Sequence, residues 1–134
     1  MQEQDITTLI EGLYASFLDG DLDAILEIVS DDAELIVYGP AELPFTGLFR
    51  GRSGTRQFLE ALIVTQDDIK AEISERIVQG NTVVIIGSYS AKIKATGKTI
   101  STPLAHVWTV ESGKITRFLD FFDTAAVQTA YRQS

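Results

Sequence analysis

The 134-residue chain carries one histidine, His106, and no cysteine. Those two counts remove disulfide frameworks and zinc–thiolate sites. They leave too few soft ligands for a transition-metal centre and only His106 as a base for any serine nucleophile. No metal and no cofactor is implied. Proton transfer by a carboxylate is the candidate chemistry. Asp120 is the candidate, because it lies in the run Arg117-Phe118-Leu119-Asp120-Phe121-Phe122. A carboxylate lodged among apolar side chains is expected to have a raised pKa, which suits a general base or acid near neutral pH. Tyr38 and Tyr89 are candidates for orienting a substrate beside it.

Other motif-like spacings have simpler readings. Gly97-Lys98-Thr99 imitates the end of a phosphate loop but has Lys92 where that motif needs glycine, so it reads as a hairpin turn. Asp19, Asp21 and Asp23 imitate a calcium loop, yet Ala24 and Ser30 occupy the glycine and closing-glutamate positions. Asp123, just before Thr124-Ala125-Ala126-Val127, reads as the N-cap of a short C-terminal helix.

The chain is 45% apolar and 22% charged, with a formal net charge of −8. Its length suits one domain, residues 1–134, that buries roughly two thirds of its unfolded surface. A net anion with scattered Lys and Arg is repelled by nucleic acid and anionic membranes, so neither is an expected partner. No apolar run is long enough to span a bilayer, and the acidic N-terminus lacks a signal-peptide core. The absence of cysteine fits a cytoplasmic protein.

These residues must be held by elements that the hydrophobic pattern locates. Ile6, Leu9, Ile10, Leu13, Tyr14 and Phe17 form one helical stripe that ends at Asp19-Gly20. A second helix starts near Asp21, its N-cap, and buries Leu22, Ile25, Leu26 and Val29. Residues 33–38 read as a strand, followed by a loop over 39–50 that sets the shape of any pocket. Within it, residues 46–51 are short and glycine-bounded. Ser53 is the expected cap of a third helix containing Phe58, Leu59, Leu62 and Ile63. The period then changes to two, with strands near 69–79, 82–94, 98–111 and 114–122. Short turns at Gly80-Asn81, Ala95-Thr96-Gly97 and Ser112-Gly113 make these an antiparallel meander. Helices followed by a meander give an α+β architecture, with the helices covering one face of a curved sheet.

Strand parity then sorts the candidates. A tight Ser112-Gly113 hairpin pairs Ala105 with Asp120 and Val107 with Phe118. A three-residue loop at 95–97 sets Val83, Ile85, Gly87, Tyr89 and Ala91 beside Ala105 and Val107. The helix-facing side is then expected to hold Tyr89, Val107, Phe118, Phe122 and Asp120. Leu104, His106 and Trp108 fall on the back, with Leu119 and Phe121. A β-bulge would be needed to bring His106 to Asp120, since a one-residue slip exchanges faces. The back stripe of Leu104, Trp108, Leu119 and Phe121, bordered by Lys92, Lys94 and Arg117, is the expected contact of a twofold homodimer.

Several segments resemble one family. Residues 14–24 with Ser30-Asp31-Asp32-Ala33 are similar to the first two helices of SnoaL-like and ketosteroid-isomerase-like proteins. Gly47-Leu48-Phe49-Arg50-Gly51 resembles their glycine-flanked segment before the third helix. Lys98-Thr99, Pro103-Leu104-Ala105-His106 and residues 113–123 resemble their last two strands. The resemblance covers residues 5–127. It implies the cone-shaped α+β roll of the nuclear transport factor 2-like superfamily, a cystatin-like roll with N-terminal helices packed on a curved mixed or antiparallel sheet. It also implies an apolar pocket and frequent homodimers.

The isomerase's tyrosine, shuttling aspartate and second acid correspond by this resemblance to Leu13, Val37 and Ala105, with Tyr14 one residue on and aimed elsewhere. Steroid isomerisation is therefore not expected. SnoaL-type polyketide cyclases resemble the chain through His106 and Asp120, which stand as the candidate catalytic residues. Tyr14, Phe17, Tyr38, Phe58, Tyr89, Val107, Phe118 and Phe122 are the candidate ligand-binding residues. Two functions follow as expectations. One is an isomerase, cyclase or hydrolase acting by proton transfer on a small apolar carbonyl or epoxide metabolite. The other is a non-catalytic domain for small-ligand binding or dimerisation.

Overall fold

In the computed structural model, which describes residues 2–133, four helices and six strands follow one another along the chain. They are α1 (Glu3–Leu18), α2 (Leu22–Glu27), β1 (Val29–Val37), β2 (Gly47–Arg50), α3 (Gly51–Thr65), β3 (Gln66–Gln79), β4 (Thr82–Ile93), β5 (Thr99–Glu111), β6 (Lys114–Phe122) and α4 (Thr124–Tyr131). Helix α1 forms because Ile6, Ile10, Leu13 and Tyr14 share one buried face. Asp21 caps α2 by accepting from the Ala24 amide at 3.2 Å, and Asp123 caps α4 by accepting from Ala126 at 3.1 Å. Ser53 does not cap α3. That helix begins at Gly51, whose φ of +64° turns the chain straight from strand to helix and leaves Ser53 inside the first turn.

The strand order is β2-β1-β6-β5-β4-β3. β3 to β6 form the expected meander, while β1 adds in parallel to β6 and carries β2 antiparallel at the edge. The sheet is therefore mixed. Helices α1, α3 and α4 pack against β3, β1 and β5 respectively, so the helical layer lies on one face only. β3 is bent by bulges between Asp67 and Lys70 and between Ile73 and Glu75, the second opposite Gly87. The two backbones approach so closely there that a Cβ on Gly87 would lie 2.0 Å from the Glu72 carbonyl oxygen. The result is a cone-shaped α+β roll.

The register corrects the expected faces of β5. The hairpin between β4 and β5 closes with Ile93 N–H donating to the Lys98 carbonyl at 2.8 Å, leaving four loop residues rather than three. Val83 then pairs with Trp108, Ile85 with His106 and Gly87 with Leu104. A bulge in β6, where Thr109 pairs with Arg117 but Val110 pairs with Ile115, leaves Thr116 unpaired. Beyond it Trp108 pairs with Phe118 and His106 with Asp120. The two one-residue offsets cancel for β6 and leave only β5 turned over. Leu104, His106 and Trp108 face the helices, and Ala105 and Val107 face outward.

The outer face consequently differs from the expected stripe. Leu104 and Trp108 are absent from it. Leu119 instead joins a row that crosses all six strands: Leu48, Ile36, Leu119, Val107, Val84 and Ile77. Beside it lie Tyr38, Phe121, Ala105 and Ile86, with the Tyr38 and Phe121 rings stacked at 5.0 Å.

Replacing Gly87 by alanine should destabilise the fold by at least about 2 kcal/mol, because backbone rather than a flexible side chain must yield. Urea denaturation of Gly87→Ala checks this, and an unchanged midpoint would contradict the tight crossing.

Candidate active site

The inner face of the sheet and the helical layer enclose a cavity of about 100 Å³. Tyr14 and Phe17 of α1, Phe58 of α3, Tyr89 of β4, and Phe118, Asp120 and Phe122 of β6 all line it, as does His106. Two expected lining residues do not. Val107 points outward because β5 is turned over. Tyr38 lies beyond the end of β1 on the outer side, 45% exposed, where its ring covers Phe121. Leu13 also lines the cavity, so both it and Tyr14 reach inward from one helical face. Val37 is buried and pairs with Asp120, whereas Ala105 faces away.

The central feature is a chain of hydrogen bonds. Trp108 Nε1–H donates to Tyr14 Oη at 3.0 Å. Tyr14 Oη lies 2.5 Å from His106 Nδ1, and His106 Nε2 lies 3.1 Å from Asp120 Oδ1. The direction follows from the donor inventory. A carboxylate can only accept, so a neutral imidazole must carry its proton on Nε2. Nδ1 is then an acceptor, and Tyr14 must donate to it. The indole N–H enters at the far end because it can do nothing but donate. Asp120 is thus the terminal acceptor, and its Oδ2 takes no hydrogen bond from any described residue. The His106 and Asp120 side chains are each only 13% exposed. Aromatic contacts fix the imidazole, with Tyr14 stacked on it and Phe118 edge-on at 5.0 Å.

A second polar cluster stands on another wall. Tyr89 Oη donates to Gln66 Oε1 at 2.5 Å, and Gln66 Nε2 donates to Tyr131 Oη at 2.8 Å. Tyr131 in turn lies 2.8 Å from Thr65 Oγ1, whose hydroxyl donates to the Ala61 carbonyl at 2.7 Å. Gln66 is buried at the junction of α3 and β3, and no periodic pattern in the sequence marks it. Phe45 was equally hidden, since it comes from the irregular segment between β1 and β2. That segment folds inward with Leu43 and Phe45 buried. It is tied to α4 by Glu42, which accepts from Arg132 Nη2 at 2.9 Å and also from Gln128. The Arg132 and Gln128 bonds hold the Glu42 carboxyl below the ordinary range.

Strand parity predicts the outer face for Trp108 and His106, whereas both face inward, and β6 contains a clue to this. Ile115 and Phe118 are both buried core residues, and their spacing of three breaks the period of two. That break is what a bulge at Thr116 looks like in sequence.

Burial raises the pKa of Tyr14, Tyr89 and Tyr131. For Tyr14 the Trp108 bond opposes the shift and Asp120 reinforces it. For Tyr89 the neighbouring Tyr131 and Asp120 add to it. A tyrosine raised in the folded state stabilises the fold below its unfolded pKa, and that contribution is lost as pH rises past it. Unfolding free energy should therefore fall from about pH 10 upward, measured by denaturant titration at fixed ionic strength. Substituting the three tyrosines by phenylalanine should flatten the decline; a decline of unchanged slope in that variant would refute its attribution to them.

The comparisons agree with this fold. The SnoaL-like domain model matches residues 10–118, a span that includes Tyr14, His106 and Trp108 and ends two residues before Asp120. An uncharacterised protein of Mycobacterium tuberculosis is 26% identical over 122 residues, 90% of this chain and 92% of the relative. The crystal structure of an NTF2-like protein from Burkholderia xenovorans superposes with a TM-score of 0.89 at 26% identity, covering 98% of this chain and 99% of the other. The structure of TerC, co-crystallised with polyporic acid, has a TM-score of 0.84 at 28% identity over 93% and 96% of the two chains. With the family model spanning most of its length and the same cone in its relatives, the chain belongs to the SnoaL-like family.

Proposed function

We propose that the protein is an enzyme that moves a proton on a small apolar carbonyl metabolite, with Asp120 as the base. The observation that carries this reading is the directed chain Trp108–Tyr14–His106–Asp120, which ends on a carboxylate oxygen at the wall of an aromatic cavity. Asp120 takes the proton from an activated carbon. The C–H electron pair moves into the adjacent carbonyl to give an enolate. That enolate is reprotonated at another carbon in an isomerisation, or attacks a second carbonyl in a cyclisation. His106 holds the carboxylate in place through Nε2–H, and Tyr14 keeps His106 in that tautomer. The neighbour crystallised with polyporic acid supports a cavity of this fold that accepts an organic ligand.

The alternative is a non-catalytic binding domain. It is favoured by Leu13, Val37 and Ala105, which leave the positions of the isomerase's acids and tyrosine without a proton donor.

Deuterium uptake next to the carbonyl in a panel of single-ring ketones and hydroxyketones, followed by NMR in D₂O, separates the two readings. Wild type should exchange about 10²–10⁴ times faster than Asp120→Asn, the usual contribution of a positioned base. Binding without any exchange above that of the variant would favour the alternative.

We also propose that the outer sheet face pairs with a second copy of the chain. The apolar row is centred on Leu119 and Val107 and is apolar at both ends, so a twofold axis through its middle lays apolar side chains on apolar side chains throughout. The next row, Arg50, Glu34 and Arg117, alternates in charge and frames one side. Light scattering at micromolar concentration should give a dimer for wild type and a monomer for Leu119→Glu; a monomeric wild type would remove this assembly.

A further inference from the structure

The hydrogens of the cavity's polar side chains are nearly all engaged within the protein. Trp108, Tyr14 and His106 pass theirs along the chain that ends at Asp120. Tyr89 gives its hydroxyl hydrogen to Gln66, and Thr102 gives its own to the Pro103 carbonyl at 2.8 Å. Only the second amide hydrogen of Gln66 is left to meet a ligand. Acceptors are in the opposite position. Asp120 Oδ2 and the lone pairs of Tyr89 Oη remain open, and no Lys or Arg lines the cavity.

A cavity with these properties discriminates by hydrogen-bond polarity. A carboxylate or phosphate ligand would meet one negative charge, no cation and almost no donor, so its desolvation would go uncompensated. A ligand with only acceptors would leave the Asp120 oxygen buried without a partner, which is the more costly mismatch. Size adds a second restriction. An enclosed apolar cavity of about 150 Å³ is known to hold benzene; this one, about 100 Å³ and open at its mouth, is filled by a single ring that reaches into the mouth. Trp108 and Phe118, with ring centres 4.2 Å apart and planes tilted by 32°, supply an aromatic wall.

We infer that the cavity selects a neutral molecule of single-ring size that presents an O–H, phenolic or enolic, to Asp120 Oδ2. This inference rests on the proposed role of the same site and narrows its substrate class to hydroxylated rings, excluding organic anions. Tyr89 Oη is placed to accept a second hydroxyl on such a ring, and the spare Gln66 hydrogen to meet a carbonyl.

Binding, independent of turnover, tests it. Phenol and toluene have nearly the same shape, and toluene is the more apolar, so burial alone favours toluene. Titrations followed by calorimetry and by the indole N–H resonance of Trp108, the chain's only tryptophan, should show phenol bound about tenfold more tightly than toluene. Benzoate should bind at least about tenfold more weakly than toluene. In Asp120→Leu the order of phenol and toluene should reverse, and in Asp120→Asn the phenol preference should shrink to roughly threefold as a charged acceptor becomes neutral. Toluene equal to phenol in wild type would overturn the inference while leaving the cavity and its base intact. Benzoate or benzylamine binding more tightly than phenol would overturn it as well. A phenol preference that survives in both variants would show that Asp120 is not the acceptor. Failure of every probe, toluene included, would overturn this inference and the proposed function together.

Discussion

Side chains along a strand alternate between faces, so one unpaired residue is enough to exchange everything beyond it. Thr116 is that residue in β6. Near the turn Val110 pairs with Ile115, and past Thr116 the pairing shifts by one, which brings His106 opposite Asp120 and Trp108 opposite Phe118. Without the bulge, Asp120 would pair with Ala105, and the carboxylate and the imidazole would fall on opposite faces of the sheet. The hydrogen-bond chain, the aromatic wall and the composition of the outer row depend on this offset together with the four-residue loop that sets the face of β5. Bulges recur next to active sites because they re-aim side chains without altering strand order.

The offset also resolves an energetic difficulty. Asp120 sits in an apolar enclosure, where an ionised carboxylate without partners is strongly disfavoured. His106 supplies one donor directly. Tyr14 and Trp108 add nothing to Asp120 by contact, yet each removes an alternative placement of the next hydrogen, so that the imidazole N–H points at the carboxylate. The arrangement uses three side chains from two elements, α1 and β5, to satisfy one oxygen of Asp120 on β6. The other oxygen is left for whatever occupies the cavity. Ordinary packing would close such a space; here aromatic walls leave a cavity between them.

Much of this was legible in the residue pattern. The helical stripe of α1, the capping aspartates Asp21 and Asp123 and the meander follow from spacing, because burial on one face forces periodicity; the inward position of Asp120, Phe118 and Phe122 beside Tyr89 agrees with the expectation because the two register offsets cancel. The face of β5 does not, since it rests on a three-residue loop at 95–97 where the chain forms a four-residue one, and parity turns that one-residue difference into an exchange of faces. The composition of β5 held a better guide. Its even positions, Ile100, Leu104, Trp108 and Val110, are bulkier than the intervening Ser101, Pro103, Ala105 and Thr109, and the heavier face belongs in the core. Phe45 and Gln66 were hidden for a different reason. They come from a segment without regular structure and from a helix–strand junction, where no period exists to be read.

The tie between Glu42 and Arg132 has a consequence for the order in which the molecule assembles. Its two residues are 90 positions apart, and they fasten the segment after β1 to the last helix over a cavity whose lining includes Phe45 and Val127. Contacts of such long sequence separation carry the largest loop-closure entropy and are rewarded only after the intervening chain is ordered. The hairpins of β3 to β6 close over far shorter distances. The hollow should therefore be roofed at the end of folding, when its walls already stand, so that it is created as a space and not excavated from a collapsed core.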